Sequence, residues 1–212
     1  MHNLDRLGRL DLRSDPKWVV GFSDISALHA LMASQNVASI HASMASHIGW
    51  GIDDPDNRML FDILAGKMPT YTWQGSPYNH PGRTEGKLLG GNLAVIADLM
   101  ATPFDIIRPG TILFIEDVSE PIYKIERILI QLKLAGILPN LKGLIIGQFT
   151  DYRPDDNHKT MEAMIAETVA GYDFPIAFGA PIGHVDHNVP LVEGSWATLD
   201  VTKEKTTLTL EQ

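Results

Sequence analysis

The feature that most constrains the fold is an alternation of short apolar runs with helical patterns, which becomes regular after residue 86. Residues 111–115 and 143–148 are short and mostly apolar, as is typical of strands that a sheet buries on both faces. Between them, residues 122, 125, 129 and 132 are apolar at helical spacing, after a proline and before a glycine. Strands that alternate with helices predict an α/β fold.

A stretch rich in Gly, Pro, Tyr and Asn at residues 71–83 interrupts this pattern. Such composition predicts a long loop or linker. We therefore expect a two-domain α/β protein, with an N-terminal domain over residues 1–84 and a C-terminal domain over residues 85–212.

Composition narrows the classes of partner. The 212 residues are 44% hydrophobic, which supports a real core, and the net charge of −9 with no basic cluster argues against nucleic acid. The chain has no cysteine, so disulfides and thiolate metal sites are excluded. No apolar run approaches the roughly 18 residues of a membrane span, and the N-terminus lacks the apolar core of a signal peptide. We expect a soluble, cytoplasmic protein with no membrane partner.

Residues 21–24 read Gly-Phe-Ser-Asp and lie between an apolar run and an amphipathic helical pattern. This predicts a sharp strand-to-helix turn with Ser23 at its corner, beside helix amides that have no partner within the helix. An acyl-transfer nucleophile needs this position, because the amide of Asp24 then points at the developing oxyanion. The alternative is that Ser23 is an ordinary helix N-cap.

Two later segments supply an acid and a histidine. The apolar run at residues 112–115 ends in Glu116 and Asp117. Residues 175–181 predict another strand, and residues 180–188 at its end contain His184 and His187. The chain order serine, acid, histidine is one in which serine triads occur. Alternatively, the acids cap the following helix and the histidines are ordinary loop residues.

A metal site at His184 and His187 is not predicted, since no glutamate follows at zincin spacing and no second pair of ligands is apparent. We expect surface or packing roles for the scattered histidines His29, His41, His47, His80 and His158.

Four segments together resemble the L,D-carboxypeptidase family, which comprises serine muramoyltetrapeptide carboxypeptidases and microcin C self-immunity peptidases. They are Gly-Phe-Ser-Asp-Ile-Ser-Ala-Leu (21–28), Gly-Gly-Asn-Leu (90–93), Phe-Ile-Glu-Asp-Val-Ser-Glu-Pro (114–121) and Gly-His-Val-Asp-His-Asn (183–188). The resemblance runs from about residue 4 to the end of the chain. It implies that Ser23 is the nucleophile, His184 the general base and then acid, and Glu116 the acid that orients the imidazole. Asp117 and His187 are the second choices.

The resemblance also implies the reaction. The enzyme would release the terminal D-alanine from a murein tetrapeptide, a small peptide substrate, in cytoplasmic cell-wall recycling. The site would lie in the cleft between the two domains, would need no cofactor and no metal, and would belong to a homodimer. Arg83 and Arg127 are candidates for binding the terminal carboxylate of the substrate.

The sequence departs from the family at its front. Family members have a longer stretch before the serine, with a Gly-Gly turn expected to give the second oxyanion amide, whereas 22 residues precede Ser23 here. We therefore expect an incomplete N-terminal domain, from a fragment or a late start codon, and weaker activity than in a longer form. Two other hypotheses are a microcin-type immunity peptidase, with Trp50 or Trp73 as a platform for a nucleobase, and a catalytically dead remnant that acts as a binding module.

Overall fold

The computed structural model describes residues 1–51 and 53–211, without the side chain of Trp50. The α-helices are α1 (Leu4–Leu7), α2 (Ser26–Ser34), α3 (Pro55–Leu64), α4 (Leu93–Ala97), α5 (Ile122–Leu134) and α6 (Met161–Thr168). The strands are β1 (Val20–Gly21), β2 (Ser39–His41), β3 (Thr70–Gln74), β4 (Gly82–Asn92), β5 (Thr111–Val118), β6 (Gly143–Thr150), β7 (Ile176–Ala177), β8 (Leu191–Glu193), β9 (Trp196–Val201) and β10 (Lys205–Leu210). Short 3-10 helices lie at Ser23–Ile25, Ala45–Trp50 and Leu138–Asn140. None of the described helices combines the length and apolar character needed to cross a bilayer.

A seven-stranded sheet forms the centre of the molecule, in the order β3-β10-β9-β4-β5-β6-β7. The strands β4 to β7 are parallel, and β9, β10 and β3 extend the sheet in antiparallel pairing. Helices α5 and α6 connect parallel strands, as crossover helices do. The predicted α/β fold is confirmed.

The central strand β5 shows why this sheet is stable. Leu113 and Ile115 belong to a core shared with α2, α4, α5 and α6, while Ile112 and Phe114 belong to a second core on the opposite face. All four side chains are at most 1% exposed. A strand covered on both faces needs a continuous apolar run, which is what the sequence has there.

A second sheet of three short strands, in the order β1-β2-β8, contributes to the second core. Val20 of β1 pairs with Ile40 of β2 in parallel, and Ile40 pairs with Val192 of β8 in antiparallel. The strand that leads to Ser23 is therefore held in place partly by a strand from the other end of the chain.

Two predicted segments differ from the structure. Residues 71–83, predicted as a loop, include most of strand β3, because alternating Thr, Tyr, Thr and Trp side chains pair with β10 at the edge of the large sheet. Residues 175–181, predicted as a strand, pair with β6 only over Ile176 and Ala177. The division into domains at residue 84 stays a prediction.

Candidate active site

Ser23 follows strand β1 and begins the 3-10 turn that continues into α2. Its backbone φ is +60°, a left-handed value that costs a non-glycine residue about 1–3 kcal/mol and is concentrated at functional sites. Phe22 before it is extended, so the chain turns sharply at the serine, whose side chain is half-buried. Asp24 is the next residue of the turn, where backbone N–H groups have no partner within the helix.

Glu116 and His184 lie together at the end of the large sheet. Nδ1 of His184 is 2.9 Å from Oε2 of Glu116, and the Glu116 side chain is fully buried. The pairing of β5 with β6 shifts register between Ile115 and Asp117, so Glu116 sits at an irregularity of the strand. Such irregularities redirect side chains and are common beside active sites.

The hydrogen bond that His184 donates to Glu116 is the main cause that raises the pKa of His184, while partial burial acts in the opposite direction. Burial raises the pKa of Glu116, and its hydrogen bond with His184 opposes that shift. The pair is therefore set up to stabilise a proton on the imidazole.

The segment that carries Ser23 lies against the imidazole. The ring of Phe22 is 4.7 Å from the ring of His184, centroid to centroid, at an interplanar angle of 55°. The strand-to-helix turn and the histidine loop, which are distant in sequence, are thus neighbours in the fold.

Gly183 is required for this close arrangement. Its φ is +125°, and a Cβ placed there would lie 3.1 Å from Cβ of Glu116 and 3.0 Å from the carbonyl oxygen of Gln148. The glycine lets the histidine loop lie directly on strands β5 and β6.

Asp117, the second choice for the acid, has a different set of partners. Its Oδ1 accepts hydrogen bonds from Nδ2 of Asn92 and the N–H of Val118, and its Oδ2 accepts the N–H of Ala94, each at 2.9 Å. These bonds hold the start of α4, and burial raises the pKa of the carboxyl group. Of the two acids, Glu116 is the one that contacts His184.

His187, the second choice for the base, is also bound elsewhere. Its Nδ1 lies 2.8 Å from Oδ1 of Asp56 on α3, and its side chain is 61% exposed. Nothing in the sequence near residue 56 signals this partner, because the two residues meet only in the fold.

The Gly-Gly-Asn segment at residues 90–92 connects three elements around the site. Asn92 ends strand β4 and caps α4 by accepting the N–H of Val95. Its own N–H donates to Oγ of Ser26 on α2, and its side chain donates to Asp117. Asn92 therefore links the helix that follows Ser23 to the strand that carries Glu116, a role the sequence analysis missed.

The two arginines considered for binding the substrate carboxylate each contact another side chain. Arg83 is at the start of β4, 4.0 Å from Asp200, and about 30 Å along the strand from the end where Asn92 pairs with Glu116. Arg127 stacks over the ring of Tyr123 at 4.9 Å.

Trp50 and Trp73 are the two residues considered as a platform for a nucleobase. The side chain of Trp50 lies outside the described residues. Nε1 of Trp73 donates to the carbonyl oxygen of Phe178, and its ring lines an apolar cavity of about 240 Å³ beside His187.

One group of possible metal ligands occurs among the described residues, with ligand atoms of His47, Asp54 and Asp56 within 4.8 Å of one another. Asp54 caps α3 by accepting the N–H groups of Asp56 and Asn57, and Nε2 of His47 is 3.2 Å from the same oxygen. Hydrogen bonds to Asp54 thus hold His47 and the start of α3, while the Asp56 carboxylate accepts the N–H of Asn188.

Family models match both parts of the chain that supply these residues. A model of the LD-carboxypeptidase N-terminal domain matches residues 1–42, which include Ser23. A model of the LD-carboxypeptidase C-terminal domain matches residues 85–199, which include Glu116 and His184.

Similar proteins agree with these matches. The probable murein peptide carboxypeptidase of Bacillus subtilis (strain 168) is 34% identical over 203 residues, covering 92% of this chain and 63% of that protein. The crystal structure of muramoyltetrapeptide carboxypeptidase from Oxalobacter formigenes has a TM-score of 0.85 at 28% identity, over 95% of this chain and 70% of that one. MccF in complex with glutamyl sulfamoyl guanosine shares the fold, with a TM-score of 0.78 at 21% identity over 95% of this chain and 69% of that chain. The chain thus spans somewhat less than two thirds of the curated relative, and it belongs to the LD-carboxypeptidase family.

Proposed function

We propose that this protein is a serine L,D-carboxypeptidase that releases the terminal D-alanine of a murein tetrapeptide. The observation that carries the proposal is the 2.9 Å bond between His184 and buried Glu116, next to the strained turn at Ser23. The names of its relatives, which refer to murein peptide and muramoyltetrapeptide, support this substrate class.

In the proposed mechanism, His184 takes the proton of the Ser23 hydroxyl as the oxygen attacks the carbonyl carbon of the L-residue. Glu116 accepts the Nδ1–H of His184, which leaves Nε2 free to receive that proton and stabilises the imidazolium that forms. The imidazolium then gives the proton to the amine of D-alanine as the amide bond breaks. Water, activated by the same histidine, hydrolyses the acyl-enzyme.

The backbone N–H of Asp24 is the proposed oxyanion donor, because the turn leaves it unpaired within the helix and close to the serine. The proposal includes no cofactor. It also includes a cytoplasmic location, where recycled murein peptides would be met, and a homodimer, both implied by the family resemblance.

The test is D-alanine release from a purified murein tetrapeptide by wild type and by Ser23→Ala. Loss of the nucleophile should reduce kcat by at least about 1,000-fold, with an unchanged melting temperature. Ser34→Ala is the matched control, since Ser34 lies at the other end of α2 and its hydroxyl donates to the carbonyl oxygen of Leu31. Residual turnover of Ser23→Ala above about a tenth of wild type would remove Ser23 from the mechanism.

The alternatives are tested in the same assay. A microcin-type immunity peptidase would cleave an aminoacyl–nucleotide conjugate instead of the tetrapeptide, and the aromatic wall that Trp73 gives the cavity beside His187 is the feature that favours it. A catalytically dead binding module would bind the tetrapeptide without turnover in wild type.

A further inference from the structure

We infer that Asp56 is a positioning residue for His184, acting through the loop of residues 183–188. The inference rests on the proposed function, in which His184 is the general base. It concerns a residue that belongs to neither the serine turn nor the two strands beside the imidazole.

Asp56 lies at the second position of α3 and is 3% exposed. Its Oδ2 accepts the backbone N–H of Asn188 at 2.9 Å, across 132 residues of sequence. Its Oδ1 lies 2.8 Å from Nδ1 of His187. One carboxylate therefore accepts a hydrogen bond from Asn188 and lies in contact with His187, two consecutive residues of the histidine loop.

The helix does not need this carboxylate as a cap. Asp54 is the N-cap of α3, and its Oδ1 accepts the N–H groups of Asp56 and Asn57 at 3.0 Å. The two oxygens of the Asp56 carboxylate instead contact the histidine loop.

The second half of the connection runs through Asn188, which is fully buried. Its Oδ1 accepts the N–H of Gly183 at 2.9 Å, so that the loop closes on itself around His184. Gly183 in turn lies directly against Glu116. Asp56 thus helps to fix the backbone at Gly183, the residue before His184, and Gly183 in turn contacts Glu116.

The two contacts of Asp56 are expected to differ in strength. His187 is 61% exposed, so water and salt screen its pairing with Asp56. The bond to the Asn188 N–H is buried, where an unmet donor is unfavourable and an acceptor fixes the backbone. The positioning effect should therefore depend on a hydrogen-bond acceptor at residue 56 more than on its charge.

The test compares Asp56→Ala and Asp56→Asn with wild type by proton NMR and kinetics. The readout is the downfield imidazole N–H resonance of His184 bonded to Glu116, assigned by its absence in His184→Gln. Asp56→Ala should broaden or abolish this resonance and lower kcat by about 30-fold with little change in KM, since small misplacements of a catalytic group have effects of this size. Asp56→Asn keeps an acceptor and should keep the resonance, with kcat within about 3-fold of wild type.

Two controls separate position from charge. Asp53→Asn removes the same charge from a 97% exposed side chain two residues before Pro55 and should change nothing. His187→Ala removes the exposed contact alone and should leave kcat within about 3-fold of wild type. A folded Asp56→Ala protein that keeps the His184 resonance and kcat within about 2-fold of wild type overturns the inference.

A third measurement needs no variant. In wild type, the Asn188 amide should exchange with solvent at least about 100-fold more slowly than that of exposed Asp186. Equal rates would overturn the inference even if Asp56→Ala does not fold. If wild type releases no D-alanine, the proposed function fails, while the resonance and exchange measurements still decide the role of Asp56.

Discussion

The two sheets of this molecule are built in different ways. The seven-stranded sheet has long central strands, eight residues in β5 and β6 and eleven in β4, buried in apolar cores on both faces. The three-stranded sheet has strands of two or three residues and depends on β8 from the end of the chain. Ser23 follows the small sheet, whereas Glu116 lies on β5 of the large sheet and His184 lies in the loop that packs against β5 and β6.

Hydrogen bonds of buried polar side chains add to the few backbone hydrogen bonds between the short strands of the small sheet. Nε2 of His29 lies 2.9 Å from the carbonyl oxygen of Gly21, and Nδ1 lies 2.9 Å from Oγ of Ser39. A carbonyl oxygen can only accept, so Nε2 carries the proton and the neutral ring accepts the Ser39 hydroxyl through Nδ1. The strand before Ser23 is therefore held by bonds that depend on protonation, unlike the apolar contacts of the large sheet.

The largest expected effect tests the contribution of the large sheet to the proposed mechanism. Glu116→Gln should lower kcat for D-alanine release by about 10,000-fold, because an amide does not stabilise the imidazolium and favours the wrong tautomer. The fold should be preserved, since the two side chains have nearly the same shape. Adding Ser23→Ala should lower kcat little further, because the three residues act as a unit.

Asp117→Asn is the comparison variant for the neighbouring acid. It disturbs the bonds to Asn92 and Ala94, so its main effect should be a lower free energy of unfolding. Its effect on kcat should be smaller than that of Glu116→Gln. If it reduces kcat more than Glu116→Gln does, the choice of Glu116 is wrong.

The sequence predicted the large sheet better than its edges, for a physical reason. The apolar run at residues 111–115 is a local signal, because a strand buried on both faces needs apolar residues throughout. Strand β3 carries a weaker alternating pattern beside a loop rich in Gly and Pro, and its partner β10 lies more than 120 residues later. Edge pairing of this kind is decided by the assembled sheet.

The residues of the site also differ in how well the sequence predicts them. The turn at Ser23, the acids ending β5 and the histidine loop each have a local motif. Spacing could not distinguish Glu116 from Asp117, because burial and the capping of α4 determine which acid contacts the imidazole. Asp56 has no local signal, since its partners are about 130 residues away and are reached only after folding.

The second prediction concerns the contact between the two regions. Gly91 of β4 has a φ of +128°, and a Cβ there would lie 2.5 Å from Oγ of Ser26 on α2. Gly91→Ala should lower the free energy of unfolding by about 3 kcal/mol, because it combines backbone strain with displacement of the hydroxyl that accepts the Asn92 N–H.

Gly136→Ala is the matched control in urea unfolding. Gly136 also has a positive φ, +71°, but no atom lies within 4 Å of an added Cβ. It should lose only the strain component, about 1 kcal/mol. Equal losses in the two variants would mean that the contact between α2 and β4 adds nothing to stability.

The smallest expected effect is the pH dependence of the small sheet. Burial lowers the pKa of His29 to about 4 and that of His41 to about 3, from an ordinary value of 6.5. Between these values and pH 6.5 the unfolded chain binds more protons than the native protein. The contribution of these two neutral imidazoles to the free energy of unfolding is therefore fully present above pH 6.5 and is lost as the pH falls below it. Buried Glu193 acts in the opposite direction, because its raised pKa favours a native state that holds a proton.

The variant His41→Phe separates the effect of His41 on the pH dependence from the effects of His29 and Glu193. His41 packs edge-on against Phe114 at 5.2 Å, so an apolar ring can occupy the site without a group that must be protonated on unfolding. Measured by urea unfolding from pH 7 to 4.5, wild type should lose stability more steeply than the variant, by up to about 1.4 kcal/mol per pH unit. The slope is the quantity that decides, because any repacking by the larger ring shifts both ends of the curve equally. Parallel curves would mean that His41 titrates alike in both states, and the acid sensitivity of the small sheet would then depend on His29.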